Sequence, residues 1–118
     1  MLRHTLFATA ILTALPMATL AGEAVSGADI PGLVGGKTIQ GKMFDSGAYA
    51  EFYDADGTIK ADGYTGKWSV KDNQMCFQYG SDPANCFTIK KTGDDVSWIA
   101  DGKPVGDGQI VDGNPNRF

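Results

Sequence analysis

Gly66-Lys67-Trp68-Ser69-Val70-Lys71-Asp72-Asn73-Gln74-Met75-Cys76-Phe77-Gln78-Tyr79 alternates apolar and polar residues with period two on either side of an Asp-Asn break. Period two is the signature of a half-buried strand, and Asp and Asn tolerate the positive φ angles of tight hairpin turns. A two-residue loop at Asp72-Asn73 pairs Val70 with Met75, Trp68 with Phe77 and Gly66 with Tyr79. Every apolar residue of the hairpin then shares one face.

The next stretch, Asn85 to Lys90, carries Phe87 and Ile89 on one parity and Cys86, Thr88 and Lys90 on the other. Placing Cys76 opposite Cys86 sets Met75 against Phe87, so the two hairpins agree without adjustment. Opposed residues of antiparallel strands lie about 4.5 to 5.5 Å apart between Cα atoms, within the reach of a disulfide. The expected Cys76–Cys86 bond closes a loop of roughly ten residues and stabilises the fold by about 2.5 to 3 kcal/mol through chain entropy. Two free buried thiols are the alternative; a redox pair is disfavoured because the spacing is not Cys-x-x-Cys.

Working outward, a two-residue loop at Gly93-Asp94 sets Trp98 opposite Ile89 and Ala100 opposite Phe87. Upstream, Lys37 to Met43, Ala48 to Tyr53 and Thr58 to Ala61 read as strands, the last without a fixed register. Asp101 to Gly108 reads as a glycine-rich loop and Gln109 to Val111 as a short closing strand. Asp-Gly pairs at Asp56, Asp62, Asp101, Asp107 and Asp112 supply turns, and no long amphipathic helix pattern occurs between them. The expected fold is all-β: a small antiparallel meander of seven or eight short strands that closes, or nearly closes, into a barrel over its apolar face.

Residues 1–21 read as a signal peptide, with Arg3 in a basic start, an uncharged apolar run from Thr5 to Leu20, and small residues before a cleavage after Ala21. The apolar run is short for a membrane span, which takes about 20 residues. Glu23 stands where a lipoprotein would carry its cysteine. Residues 22–36 then form an irregular lead-in and residues 37–118 a single β-domain, periplasmic or extracellular and monomeric.

Removing 21 of the 118 residues leaves 97 and takes away His4, the one histidine. Histidine-dependent triads, Cys-His sites and histidine metal ligands are thereby excluded from the mature chain. Nine Lys plus Arg face fourteen Asp plus Glu, interspersed, so no basic surface for a phosphate backbone is present and nucleic acid is not an expected partner. The domain buries only about 60 to 70% of its unfolded surface, and a covalent staple supplements a core of that size.

Asp54-Ala55-Asp56-Gly57, with Asp62 further on, is the candidate metal site, with Ca2+ as the cofactor that such carboxylates around a Gly turn would take. Aligned on Gly57 as the sixth loop position, however, Phe52 and Gly63 occupy the two outer ligand positions, and a tight turn accounts for the same residues. Paired carboxylates among Asp45, Glu51, Asp54 and Asp62 can in principle do glycosidase-type chemistry, but the sequence places no two of them in a cleft. The aromatic residues Tyr49, Phe52, Tyr53, Tyr64, Trp68, Phe77, Tyr79, Phe87 and Trp98 are expected to fill the core in preference to lining a pocket. Trp68, Phe77 and Trp98 are the candidate ligand-binding residues if a cavity exists.

Tyr64 to Cys86, with its Thr-Gly-x-Trp-Ser and Met-Cys-Phe…Cys-Phe pattern, and the closing Gly113-Asn114-Pro115, resembles a group of small exported bacterial proteins of unassigned function. The resemblance covers about half of the mature chain and implies an exported β-domain without transferring any site residue. Similarity to lipocalin-type barrels is one of architecture, which does not give function. The expected function is that of a non-catalytic protein-interaction or inhibitor-type module of the cell envelope, displaying loops such as Gly80 to Ala84 or Asp101 to Gly108 to an unknown protein partner. The alternative is a small-ligand or cation-binding barrel.

Overall fold

The computed structural model describes residues 22–118; the signal-peptide reading, its cleavage site and His4 lie outside the described residues. Nine strands form one antiparallel sheet: β1 (Glu23–Ala24), β2 (Lys37–Met43), β3 (Gly47–Tyr53), β4 (Thr58–Ala61), β5 (Tyr64–Lys71), β6 (Gln74–Gln78), β7 (Asn85–Thr92), β8 (Asp95–Ala100) and β9 (Lys103–Asp112). From β2 to β9 each strand pairs with the next in sequence, and β9 pairs back onto β2 over seven residue pairs. The result is an eight-stranded up-and-down barrel, and β1 adds a short extra strand along β7. Among the described residues no helix is long and apolar enough to cross a membrane.

The register of the central hairpins is the one that alternation dictates. Trp68 pairs with Phe77, Val70 with Met75, Met75 with Phe87, Cys76 with Cys86 and Ile89 with Trp98. Asp72 and Asn73 take φ values of 50° and 61°, as a two-residue turn that follows the sheet's twist requires, and Gly93 opens the next such turn at 58°. The disulfide lies on the outer face with an S–S distance of 2.04 Å. Inside, Ile39, Ile59, Trp68, Met75, Phe77, Ile89, Val96, Trp98 and Ile110 form the core.

Two segments differ from the sequence reading. Asp101 to Gly108 is not a loop: only Asp101 and Gly102 turn the chain, and β9 runs for ten residues to Asp112. Its glycines make room for side chains of other strands: a Cβ at Gly106 would meet the Met43 side chain, and one at Gly108 the Tyr49 hydroxyl. Gly41 of β2 is paired with Tyr49 on one side and with Gly108 on the other. The Tyr49 hydroxyl lies against Gly108 and donates to the Asp107 carbonyl at 2.8 Å, while the β9 backbone closes over Gly41. Trp98 pairs with Gly106 and approaches from the other side.

The second difference is the lead-in. It holds β1 and a five-residue helix, α1 (Ile30–Val34), whose Ile30 and Val34 are fully buried in the core. The Gly27 amide donates to Asn73 Oδ1, the Gly36 amide to the Tyr53 carbonyl, and Gly35 lies beside Ala55. All three contacts lie at the end of the barrel where β5 turns into β6 and β3 into β4. The helix closes that end, and among the described residues no element plugs the opposite end.

Replacing both Cys76 and Cys86 by Ala should lower unfolding free energy by about 2 to 3 kcal/mol in denaturant titrations, and an unchanged midpoint would refute a structural role for the bond. A Cβ at Gly41 would collide with the Asp107 carbonyl and lie 2.5 Å from Gly108 Cα, so that backbone must move. Gly41→Ala should therefore destabilise the β2–β9 seam by about 1 to 3 kcal/mol, whereas Gly32→Ala, where nothing lies within 4 Å, should not.

Candidate functional site

Tyr49, Glu51 and Tyr53 alternate along β3, so all three side chains share the interior face, where Glu51 is paired with Ile39. A carboxylate on that face is 5% exposed and has to be solvated by the protein itself. Tyrosine hydroxyls do this. Tyr53 donates to Oε1 at 2.9 Å, Tyr64 to Oε2 at 2.8 Å, and Tyr79 reaches both oxygens at 3.0 and 2.8 Å. The donors come from β3, from the start of β5 and from the residue after β6, so one carboxylate braces three parts of the wall.

Tyr79 can reach Glu51 because Gly66 lies beneath its ring: a Cβ there would be 2.7 Å from Tyr79 Cδ1. The fourth tyrosine, Tyr49, takes part in a second chain of hydrogen bonds. Trp98 Nε1 donates to the Tyr49 hydroxyl at 2.7 Å, and that hydroxyl donates to the Asp107 carbonyl. Phe77 stands at the centre of the aromatic set, edge-on to Tyr53, Phe87 and Trp98 at centroid distances of 6.0, 5.8 and 5.4 Å. These T-shaped contacts are the arrangement that ring quadrupoles favour.

Above this floor lies a cavity of about 610 Å³, opening at the unplugged end between the β2–β3 turn, the start of β5 and the Gly80 loop. Its walls include Tyr49, Glu51, Tyr53, Tyr64, Phe77, Tyr79, Phe87 and Trp98, with Asp45, Ser46, Thr65 and Asn85 towards the mouth. The aromatic residues thus divide between core and cavity wall, apart from Phe52, which lies on the opposite face of β3 and belongs to neither. Phe77 and Trp98, both candidates from the sequence, line the cavity. Trp68 does not: its indole Nε1 donates to the Asp54 carbonyl at 2.8 Å at the closed end.

The candidate metal residues are separated. Asp54 Oδ1 accepts the Asp56 amide, Asp54 Oδ2 lies 3.3 Å from Lys60 Nζ, and Asp56 Oδ1 accepts the Thr58 amide at 2.8 Å. These are turn contacts at the closed end. Asp62 lies beyond β4, in the turn at the open end, so the Ca2+ trio is not brought together. Among the described residues no group of three or more His, Cys, Asp or Glu side chains is placed to hold a metal ion. Asp45 and Glu51, which the sequence alone did not bring together, both border the cavity.

Sequence reasoning missed the Glu51–tyrosine cluster. The available signal was a carboxylate between two tyrosines at period two, on the face that also carries Tyr79. No family model matches the chain, and neither a curated protein nor a solved structure does.

Burial, together with the neighbouring Glu51 charge, pushes the Tyr53, Tyr64 and Tyr79 phenols above their ordinary range; burial is also the main cause that takes Tyr49 up to about 12. All four tyrosines of the chain are in this group. With folded pKa values above the unfolded value of 10.0, the native state holds these protons longer than the unfolded chain does. Their contribution to stability is therefore complete below about pH 10 and is lost as pH rises through the folded values. A phenolate absorbance titration should show no tyrosine ionising near pH 10 in the native protein, then ionisation together with alkaline unfolding; a fraction titrating normally while the fold persists would refute the cluster.

Proposed function

We propose that this chain is an exported, non-catalytic barrel that binds one small molecule in the cavity at its open end. The observation that carries the reading is the cavity itself, about 610 Å³, within the range of roughly 300 to 1,000 Å³ typical of ligand sites. It has mostly aromatic walls and a few convergent polar groups, as such sites do. Its polar floor is built mainly on strands β3, β5 and β9, with Tyr79 directly after β6. The Glu51 oxygens are both engaged by tyrosine hydroxyls, an arrangement suited to recognition more than to proton transfer. The Cys76–Cys86 bond supports export to an oxidising compartment.

The protein-interaction reading has one observation in its favour. Phe44, in the turn between β2 and β3 at the mouth, is 57% exposed, and a partner could dock against it. The loop Gly80 to Ala84 offers no large apolar side chain for that purpose.

Trp98 reports on the cavity, and Trp68, held at the closed end, serves as an internal reference. Ligand entry should change Trp98 emission in the wild type and in Trp68→Phe, and Ser46→Trp, which fills the mouth, should abolish tight binding while the melting temperature stays unchanged. If no compound among cationic, neutral and anionic small molecules with apolar bodies binds, the small-ligand reading falls. Loss of a captured partner on Phe44→Ala, with the cavity inert, would establish the protein-interaction reading in its place.

A further inference from the structure

The polar floor of the cavity has already used its donors. A tyrosine hydroxyl has one proton, and those of Tyr53, Tyr64 and Tyr79 are directed at the Glu51 carboxylate, while that of Tyr49 goes to the Asp107 carbonyl. The Trp98 indole N–H is directed at Tyr49. What the floor has left to offer is lone pairs on phenolic oxygens, backed by one buried negative charge. None of the residues lining the cavity is basic, and Asp45 adds a second carboxylate near the mouth.

An anionic head group would meet a carboxylate and find no floor donor. A neutral ether or ketone would likewise bring only acceptors to a surface made of acceptors. A protonated amine brings both the donors and the charge that such a floor lacks, and the faces of Tyr64, Tyr79 and Trp98 add the attraction of aromatic rings for cations. Buried ionic groups contribute little to stability compared with apolar side chains of similar volume. Glu51 is thus better explained by recognition than by folding alone.

Building on the small-ligand reading above, we propose that the cavity recognises a protonated amine carried on an apolar, aromatic-sized body. The ammonium hydrogens are accepted by the tyrosine oxygens around Glu51, and the body lies between Phe77, Phe87 and Trp98.

The test is a head-group series on one body, with 2-phenylethylamine, 2-phenylethanol and 3-phenylpropanoate titrated into the wild-type protein by calorimetry and Trp98 emission. The amine should bind on the order of tenfold more tightly than the alcohol, as a charge-assisted contact implies, and the carboxylate most weakly. Glu51→Gln keeps the side chain's shape and should remove most of the amine's advantage over the alcohol, and Tyr79→Phe should narrow that advantage as well. If Glu51→Gln does not fold, the wild-type ranking decides by itself. Equal binding of amine and alcohol, or preference for the carboxylate, would overturn the amine assignment and leave the small-ligand reading standing. Absence of binding by all three would remove both. A short lysine peptide without an aromatic body forms the last arm: if it equals the amine, the ammonium belongs to a partner's side chain and not to a small molecule.

Discussion

A carboxylate inside a narrow eight-stranded barrel has to be solvated by the protein, and much of the interior is arranged around that need at Glu51. Withdrawing a carboxylate from water costs several kcal/mol unless its oxygens receive hydrogen bonds. Three phenols supply them, from β3, from β5 and from the end of β6, so the same contacts that solvate the charge fix the spacing of the barrel wall. Phenols are suited to this role because each brings a single well-aimed proton on a rigid ring that also fills space. No buried side-chain nitrogen or oxygen among the described residues lacks a hydrogen-bond partner.

The rings need room inside a narrow barrel, and glycine provides it. Gly66 lies under Tyr79, Gly108 lies against the Tyr49 hydroxyl, and Gly41 opposite it lets the β9 backbone come close at the seam that closes the barrel. In an ordinary strand such glycines would weaken pairing, since they add backbone entropy and pack nothing. Here the aromatic side chain of a neighbouring strand covers the bare backbone, and the Tyr49 hydroxyl adds a bond to β9. Closure of the barrel and construction of the cavity floor are thus one packing problem solved by the same residues.

This coupling explains which parts of the molecule are legible in the sequence. The stretch from Gly66 to Trp98 can be read to the register, because its turns are short, its alternation is clean, and Cys76 opposite Cys86 checks one hairpin against the next. Most of β9 looks like a loop in the sequence because Gly106 and Gly108 carry no side chain to show a parity, and their meaning lies in Met43 and Tyr49 on other strands. The helix Ile30–Val34 is too short for a periodic pattern, and its burial depends on the shape of the barrel end that it closes. Glu51 is visible as a residue but not as a site. Its partners Tyr64 and Tyr79 lie 13 and 28 residues away, and only the successive pairing of β3 with β4, β4 with β5 and β5 with β6 brings them to it.

The two ends of the barrel consequently carry different duties. At the closed end the helix, the turn built on Asp54 and Asp56, and the Trp68 indole bound to the Asp54 carbonyl fill the available volume and satisfy the available polar groups. At the open end the side chains that could fill the volume are instead held against the wall by hydrogen bonds. Tyr64 is drawn towards Glu51 although 44% of it remains exposed, and Tyr49 is fixed between Trp98 and Asp107. A cavity whose walls are held in this way resists collapse without a ligand inside it. For the guest proposed above, the acceptor oxygens would be oriented before binding, so ordering the site would take little from the binding free energy.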